Sequence, residues 1–419
     1  MHLIYNLAIY LLTPVLLLHL LWRGLRDHDY LHRWSERFGF FQPPKVTSGI
    51  VVHAVSVGEV NAAIPLIRGL QARWPDIPLV VTGFTPTGSA RIQEILGDSV
   101  FHIYAPLDLP GAVKRFYSRI QPRMLIIMET EIWPNLYRKA EKLGIPVVIA
   151  NARVSEKSLK GYQMLPRLAA EVLGSVAWAA AQTETDAARL IQCGTPSSRV
   201  DVTGSLKFDI RVPASLLEEG EIIRLGWGFS RPVLLAASTH EGDDEPVLDA
   251  FVEVLKNHPD ALLVLVPRHP ERFGRAAQLA KSHGLVIQLR SETEICAPKT
   301  NCFVVDAMGE LLRYCAASDV AFVGGSFAPL GGHNVLEPAA LGKPVLFGPH
   351  MFNFAEISAR LVQRGAAMEV ANAEQLADSV SSLFSDPNRC DQMGRAGLRL
   401  VSEGRGALSR TLDQIEKIL

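Results

Sequence analysis

The 419 residues carry 48% hydrophobic and 20% charged side chains and a formal net charge of −1. That length exceeds one ordinary core and suits two domains of roughly 150 to 200 residues each. The composition excludes extensive disorder, and the near-zero charge excludes a global basic field for nucleic acid. The five cysteines, Cys193, Cys296, Cys302, Cys315 and Cys390, are odd in number and scattered without zinc spacing, as expected of a reduced, cytosol-facing body.

The amino end stands apart. Leu3 to Trp22 reads LIYNLAIYLLTPVLLLHLLW, about the ~20 residues that cross a bilayer. Asn6, Thr13, Pro14 and His19 weaken it as a spanning helix, and no small-residue cleavage site follows. Arg23, Arg26, Arg33 and Arg37 come next, which by the positive-inside rule keeps the rest of the chain in the cytoplasm. A membrane anchor with a basic juxtamembrane segment is expected over 1–30; the alternative is a buried amino-terminal helix of a soluble protein.

Short apolar runs then alternate with helical patterns. Strands are predicted at Ile50–Ala54, Leu79–Thr82, Val100–Tyr104, Met124–Met128, Val147–Ala150, Ala177–Ala181 and Val200–Thr203. Most are continuous runs rich in Val, Ile and Leu rather than strictly alternating, as strands buried on both faces should be. Helical segments such as Asn61–Leu70 and Asp186–Cys193 separate them, and the alternation implies a parallel, doubly wound sheet. The pattern pauses over 212–230 and restarts with Val233–Ala237, Leu262–Val266, Val286–Leu289, Phe303–Val305, Val320–Val323, Val345–Phe347 and Ala367–Val370. The closing stretch, Asp378–Leu419, reads as helical. The expected organisation is a Rossmann-like acceptor domain over 31–211, a linker over 212–230, and a second Rossmann-like domain over 231–419, the two facing a cleft as in GT-B glycosyltransferases.

Parallel sheets bind ligands beyond the carboxyl ends of their strands, and each informative motif falls at such a junction. In His53-Ala54-Val55-Ser56-Val57-Gly58-Glu59, Glu59 is placed to take a proton from an acceptor hydroxyl, or simply to complement a helix dipole. The residues leave both readings open. In Met128-Glu129-Thr130-Glu131-Ile132-Trp133-Pro134-Asn135, carboxylates begin abruptly at a strand end; Glu129 reads as the functional candidate and Glu131 as part of the Trp-Pro turn. In Gly204-Ser205-Leu206-Lys207-Phe208-Asp209, Lys207 can reach a phosphate, although a loop lysine is ordinarily solvated.

In the second half, Pro267-Arg268-His269-Pro270-Glu271-Arg272 offers a guanidinium fork for phosphate or carboxylate; His269 is a turn histidine or a ligand contact. Asp306-Ala307-Met308-Gly309-Glu310 presents backbone groups to a base or phosphate, or is an ordinary helix cap. In Gly324-Gly325 and Leu330-Gly331-Gly332-His333-Asn334-Val335-Leu336-Glu337-Pro338, paired glycines are expected to open a helix whose N–H groups hold a phosphate, with Glu337 accepting from both ribose hydroxyls. Thr82–Ser89 lacks G-K-[ST], which excludes a P-loop, and no metal-ligand cluster occurs. No metal and no cofactor are expected.

Taken in order, HAVSVGE, METEIWPN, GSLKFD, VPRHPERF, DAMGEL and GGHNVLEP, together with Arg33–Gly39 (RWSERFG), resemble the Kdo (3-deoxy-D-manno-octulosonic acid) transferases of Gram-negative envelope biogenesis over nearly the whole chain. The resemblance implies a GT-B fold and an inverting transfer of Kdo from CMP-Kdo to a lipid A precursor. That acceptor is an acylated, phosphorylated glucosamine disaccharide, met at the inner membrane. It implies Glu59 as general base, with Glu129 and Lys207 stabilising the transition state. It implies donor binding by Pro267, Arg268, Met308, Gly309, Glu310, Asn334, Val335, Leu336 and Glu337. Glu36 is an outside candidate for a second catalytic carboxylate. Two rivals remain, a UDP-sugar enzyme of the same architecture and a catalytically silent membrane scaffold.

Overall fold

The computed structural model describes residues 2–25, 28–210 and 212–419; Arg26 of the basic run lies outside them. The chain divides into two units, Met1–Asp209 with Gly404–Leu419, and Ile210–Glu403.

The first unit holds seven strands: β1 (Ile50–His53), β2 (Leu79–Gly83), β3 (Phe101–Tyr104), β4 (Met124–Met128), β5 (Val147–Ala152), β6 (Trp178–Ala181) and β7 (Val200–Val202). They form one parallel sheet in the order β3-β2-β1-β4-β5-β6-β7. Alternate residues supply two separate cores, Val52, Val81, Ile126 and Val148 on one face and Val51, Val80, Leu125 and Ile149 on the other. This is why the strands read as unbroken apolar runs: both faces are covered by helices, and each buried aliphatic side chain contributes about 1.5–3 kcal/mol.

The second unit repeats the plan with β8 (Val233–Thr239), β9 (Leu262–Pro267), β10 (Ile287–Leu289), β11 (Cys302–Val304), β12 (Val320–Val323), β13 (Val345–Phe347) and β14 (Ala367–Glu369). The order is β10-β11-β9-β8-β12-β13-β14, again all parallel. In each sheet the strand order reverses once beside the first strand, between β1 and β4 and between β8 and β12. Such a reversal opens a crevice at the strands' carboxyl ends.

Two expected boundaries are corrected. The segment 212–230 is not an irregular linker: Ala214–Trp227 is a helix belonging to the second unit. It lies against the helix Leu311–Ala317 because Gly220 has no side chain; a Cβ there would sit 2.5 Å from that of Ala316. Ile223 and Trp227 are buried, with the Trp227 ring stacked on Tyr314. The second domain also does not extend to 419. The last helix, Ala407–Ile418, returns to the first unit, where Leu412 and Ile415 join the core and Arg73 pairs with Asp413 and Glu416.

The amino-terminal helix, His2–Gly24, is long and apolar enough to cross a membrane, and only a small part of it is buried. One stripe docks on the first unit. The Tyr5 hydroxyl donates to Asp108 at 2.7 Å, Asn135 Nδ2 donates to Asn6 Oδ1 at 2.8 Å, and Ile9, Leu16 and Leu17 pack by Leu107, Leu109 and Ala112. Leu3, Ile4, Leu7, Leu11, Val15 and Leu18 are exposed. Asn6, which weakened the helix as a free span, thus has its partner within the first unit.

Candidate active site

Glu59 sits at the reversal of the first sheet. Past β1 the chain turns at Ser56, whose hydroxyl oxygen accepts from the Glu59 N–H at 3.3 Å and caps the helix Val57–Arg73. The Glu59 carboxylate folds back, accepting from the Val55 N–H at 2.6 Å and from the Ser56 hydroxyl at 3.1 Å. This resembles a capping box, shifted so that the carboxylate takes the N–H of the residue before the cap, and Glu59 does serve the helix start. Capping does not require burial, yet the side chain is only 7% exposed. Burial first, then the charge of Glu131, then that of Glu129, push its pKa up to about 8 against the two hydrogen bonds that favour the anion. A Cβ on Gly58 would meet only Ser56 Oγ at 3.8 Å, so packing alone does not demand glycine there.

The neighbouring strand β4 delivers Glu129 in a left-handed backbone conformation, φ 56°. For a non-glycine residue this costs about 1–2 kcal/mol, a strain typical of functional positions. Its N–H still donates to Ala150 O at 2.9 Å, so the turn starts directly after Met128. Glu131 accepts from Trp133 Nε1 at 3.0 Å, and its own carbonyl accepts from the Tyr137 hydroxyl. That agrees with the structural reading of Glu131. Beneath them His53 is fully enclosed, bonded through Nδ1 to Thr82 and edge-on to Trp133; burial pulls its pKa down to about 4 and keeps it neutral.

Lys207 lies on a short turn, Leu206–Phe208. The buried Asn151 grips one side, its side-chain oxygen accepting from Leu206 N–H at 3.0 Å. On the other side Asp209 accepts from the Gly406 and Leu408 N–H groups, both at 2.7 Å, capping the last helix. Glu36 is occupied elsewhere: its oxygens accept from Arg33 Nε and from the Tyr104 N–H, both at 2.8 Å, clamping the RWSERFG stretch onto β3.

In the second unit the paired glycines depart from expectation. They do not open a helix, and their N–H groups face inward: Gly324 N–H donates to Ala237 O and Gly325 N–H to the carboxylate of Asp243. Gly324 is glycine because a Cβ would lie 2.6 Å from the Ser238 carbonyl oxygen; Gly325 because φ is +67°. The helix begins later, Leu336–Ala340, and is only five residues long. Asn334 accepts from the Leu336 N–H at 3.1 Å and donates to Glu337 Oε1 at 3.1 Å, which orients that carboxylate. A pocket here is lined by Ser238, Leu311, His333, Asn334 and Glu337.

Pro267 closes β9 against Thr239, and the Arg268 N–H donates to the Thr239 carbonyl, fixing the root of its side chain. Glu310 is held by Arg290 at 2.9 Å and by the Tyr314 hydroxyl at 3.0 Å, so what Met308–Glu310 can offer a ligand is chiefly backbone around Gly309.

Residues 32–210 match the model of a family described as 3-deoxy-D-manno-octulosonic-acid transferase (kdotransferase), and residues 244–399 that of glycosyl transferases group 1. A 3-deoxy-D-manno-octulosonic acid transferase of Haemophilus influenzae is 40% identical over 421 residues, covering 99% of this chain and 98% of that one. The chain belongs to the Kdo transferase family. A Bordetella pertussis relative of the same description is 36% identical, again over 99% of this chain and 98% of the other. Among solved structures, a UDP-GlcNAc 2-epimerase of Neisseria meningitidis is 17% identical with a TM-score of 0.55, covering 88% of this chain and all of that one. That likeness shows the GT-B-type fold alone.

Several residues at the two strand reversals escape sequence reasoning. Asn151 and Ser238, like Glu129, adopt positive φ at strand ends, and no local signal marks them. Asp243 is fully buried and accepts from four N–H groups, those of His240, Gly325, Phe327 and Ala328. A carboxylate in the loop before the helix Asp244–Asn257 is visible in sequence, but only as a helix-start signal.

Proposed function

We propose that the chain transfers Kdo from CMP-Kdo to the lipid A precursor lipid IVA, with inversion at the anomeric carbon, during lipopolysaccharide assembly on the cytoplasmic face of the inner membrane. What carries the reading is the match to a Kdo transferase along 99% of the chain, with Glu59, Glu129, Lys207 and Arg268 all in segments that follow the carboxyl ends of parallel strands. CMP-Kdo is held by the second unit. Arg268 meets its phosphate, Glu337, oriented by Asn334 and flanked by Val335 and Leu336, meets the ribose, and Pro267, Met308, Gly309 and Glu310 frame the base. Glu59 removes the proton from the attacking hydroxyl. Its high pKa makes it a stronger base than an ordinary carboxylate, provided that it is ionised when the acceptor arrives. Lys207 neutralises charge that develops on the departing phosphate.

The sugar gains positive character as the bond to CMP breaks, and Glu129 supplies a compensating carboxylate. The exposed face of His2–Gly24 is the membrane contact and brings the first unit to the surface where the lipid acceptor lies.

The test is product mass after incubating the purified, detergent-held chain with lipid IVA and freshly generated CMP-Kdo, with CMP and UDP as competitors. Mass gain in whole Kdo units, inhibited by CMP and not UDP, is the expected result. No gain with a verified donor overturns the proposal, and inhibition by UDP alone moves the chain to another nucleotide sugar.

A further inference from the structure

Three histidines converge at the strand reversal of the second unit. His240 follows β8, His269 follows β9 and His333 follows β12, so they come from three separate loops. The Nε2 atoms of His240 and His333 are 2.8 Å apart, the rings are 6° from parallel, and their centroids are 5.0 Å apart. That separation is what the N–N contact plus two ring radii gives, so the rings meet edge to edge, in plane, with a proton between them. His269 lies edge-on to His240 at 5.2 Å.

An imidazole pair bonded this way holds one shared proton when neutral. It can accept a single further proton at the donor ring's Nδ1 without losing the N–H···N bond, which then becomes charge-assisted. The surroundings keep that proton away from the empty site. The His240 pKa is lowered first by burial, and also by His269, Arg272 and Arg268; Asp243 opposes. Asp243 already accepts four backbone N–H groups, and Arg272 is paired with Asp244. His333 borders the pocket that also holds Ser238, Asn334 and Glu337. An anion arriving between that pocket and Arg268 reverses the balance, because it favours every positive charge around it.

We propose that His240 and His333 form a proton-sharing pair that takes up one proton when the phosphate of the nucleotide donor binds beside it. The pair acts as a positioning and charge-matching element: it is neutral in the empty site, where a fixed cation would carry a desolvation cost, and cationic once the phosphate is present. This deepens the donor-site reading above and rests on it.

The test is calorimetric titration of CMP into the full-length, detergent-held protein at pH 7.5, repeated in buffers of different ionisation enthalpy to count protons. Above pH 7 the phosphate of CMP is itself almost fully ionised, so uptake reports the protein. Wild type is expected to take up roughly half a proton per CMP, and none with cytidine, which lacks the phosphate. His240→Asn and His333→Asn should each abolish the uptake and flatten the pH dependence of CMP affinity, while CMP still binds several-fold more weakly. Two variants from different loops guard against one failing to fold. CMP binding to wild type without proton uptake overturns the inference and leaves the donor reading intact, as does an equal loss of affinity at every pH in both variants. Failure of CMP to bind wild type at all overturns the donor reading and this inference with it.

Discussion

Replacing Glu59 by Gln should reverse its effect on stability with pH. In the folded protein the Glu59 carboxyl titrates at about 8, against an ordinary value of 4.5. Because the folded pKa is raised, the group costs nothing below about pH 4.5, where both states hold the proton. As pH rises the unfolded chain ionises and the folded one resists, so stability is lost progressively until about pH 8. The loss amounts to about 3 kcal/mol at pH 7 and approaches about 5 kcal/mol above pH 9. Glutamine keeps the bond from the Val55 N–H but cannot accept from the Ser56 hydroxyl through its NH₂, which costs about 1 kcal/mol at every pH. The variant should therefore melt slightly below wild type at pH 4.5 and above it at pH 8.5, with a crossing near pH 5 to 6. A net gain of about 2 kcal/mol at pH 7 corresponds to a rise of roughly 4–8 °C for a unit of this size. Scanning calorimetry of the intact protein at four pH values measures it, with activity lost by about 100-fold or more in the same variant. A melting difference that does not change with pH would refute the argument, since it would mean that the carboxyl ionises as an exposed one does.

Other expectations follow from single contacts. Gly324→Ala drives a Cβ to 2.6 Å from the Ser238 oxygen, so loss of CMP binding is expected on titration while the circular dichroism of the first unit's helices persists. Asp243→Asn leaves a donor facing N–H groups that now bond a carboxylate, costing about 2–4 kcal/mol in denaturant unfolding. Asp209→Ala uncaps the last helix and loosens the Lys207 turn; about 1 kcal/mol of stability and a larger proportional loss of kcat than of acceptor affinity should be measured in steady-state assays. Leu7→Ser with Leu11→Ser changes side chains that are 63% and 69% exposed, so vesicle flotation should fall with no shift in melting temperature; a fall in both would place the stripe in the core.

The central strands were legible because the physics that makes them is local to the sequence; edge strands such as Val200–Val202 and Ile287–Leu289 are partly exposed and carry a weaker signal. A strand covered on both faces must be apolar at consecutive positions, and runs such as Ile50–His53 and Leu262–Pro267 meet that condition without knowledge of their neighbours. Glu129 stands out for a related reason, as a carboxylate directly after a buried strand, and Glu59 as one in the first turn of the helix that follows β1. What was not legible depends on contacts distant in sequence. Nothing near Ala214–Trp227 says that Gly220 will meet Ala316, so a helix with an interrupted apolar face passed for a linker. Nothing near Ala407 says that its helix returns to the first core, because the partners Gly69 and Arg73 lie more than three hundred residues earlier.

The glycine pair shows how a motif can shape a strand reversal by another mechanism than the one its sequence suggests. Gly324-Gly325 brings β12 close to the end of β8 and folds the loop over Asp243, and is not a cradle of free N–H groups. The same demand recurs in the first unit, where Asn151 and Glu129 take up left-handed backbone without glycine's freedom. At both strand reversals the chain accepts local strain or forfeits a side chain so that polar groups emerge at one point. The second reversal brings His240 and His333 together from loops ninety-three residues apart. Either histidine alone reads as an ordinary loop residue. Only the topology, which sets β8 beside β12, turns the two into a pair able to hold a proton for an incoming phosphate.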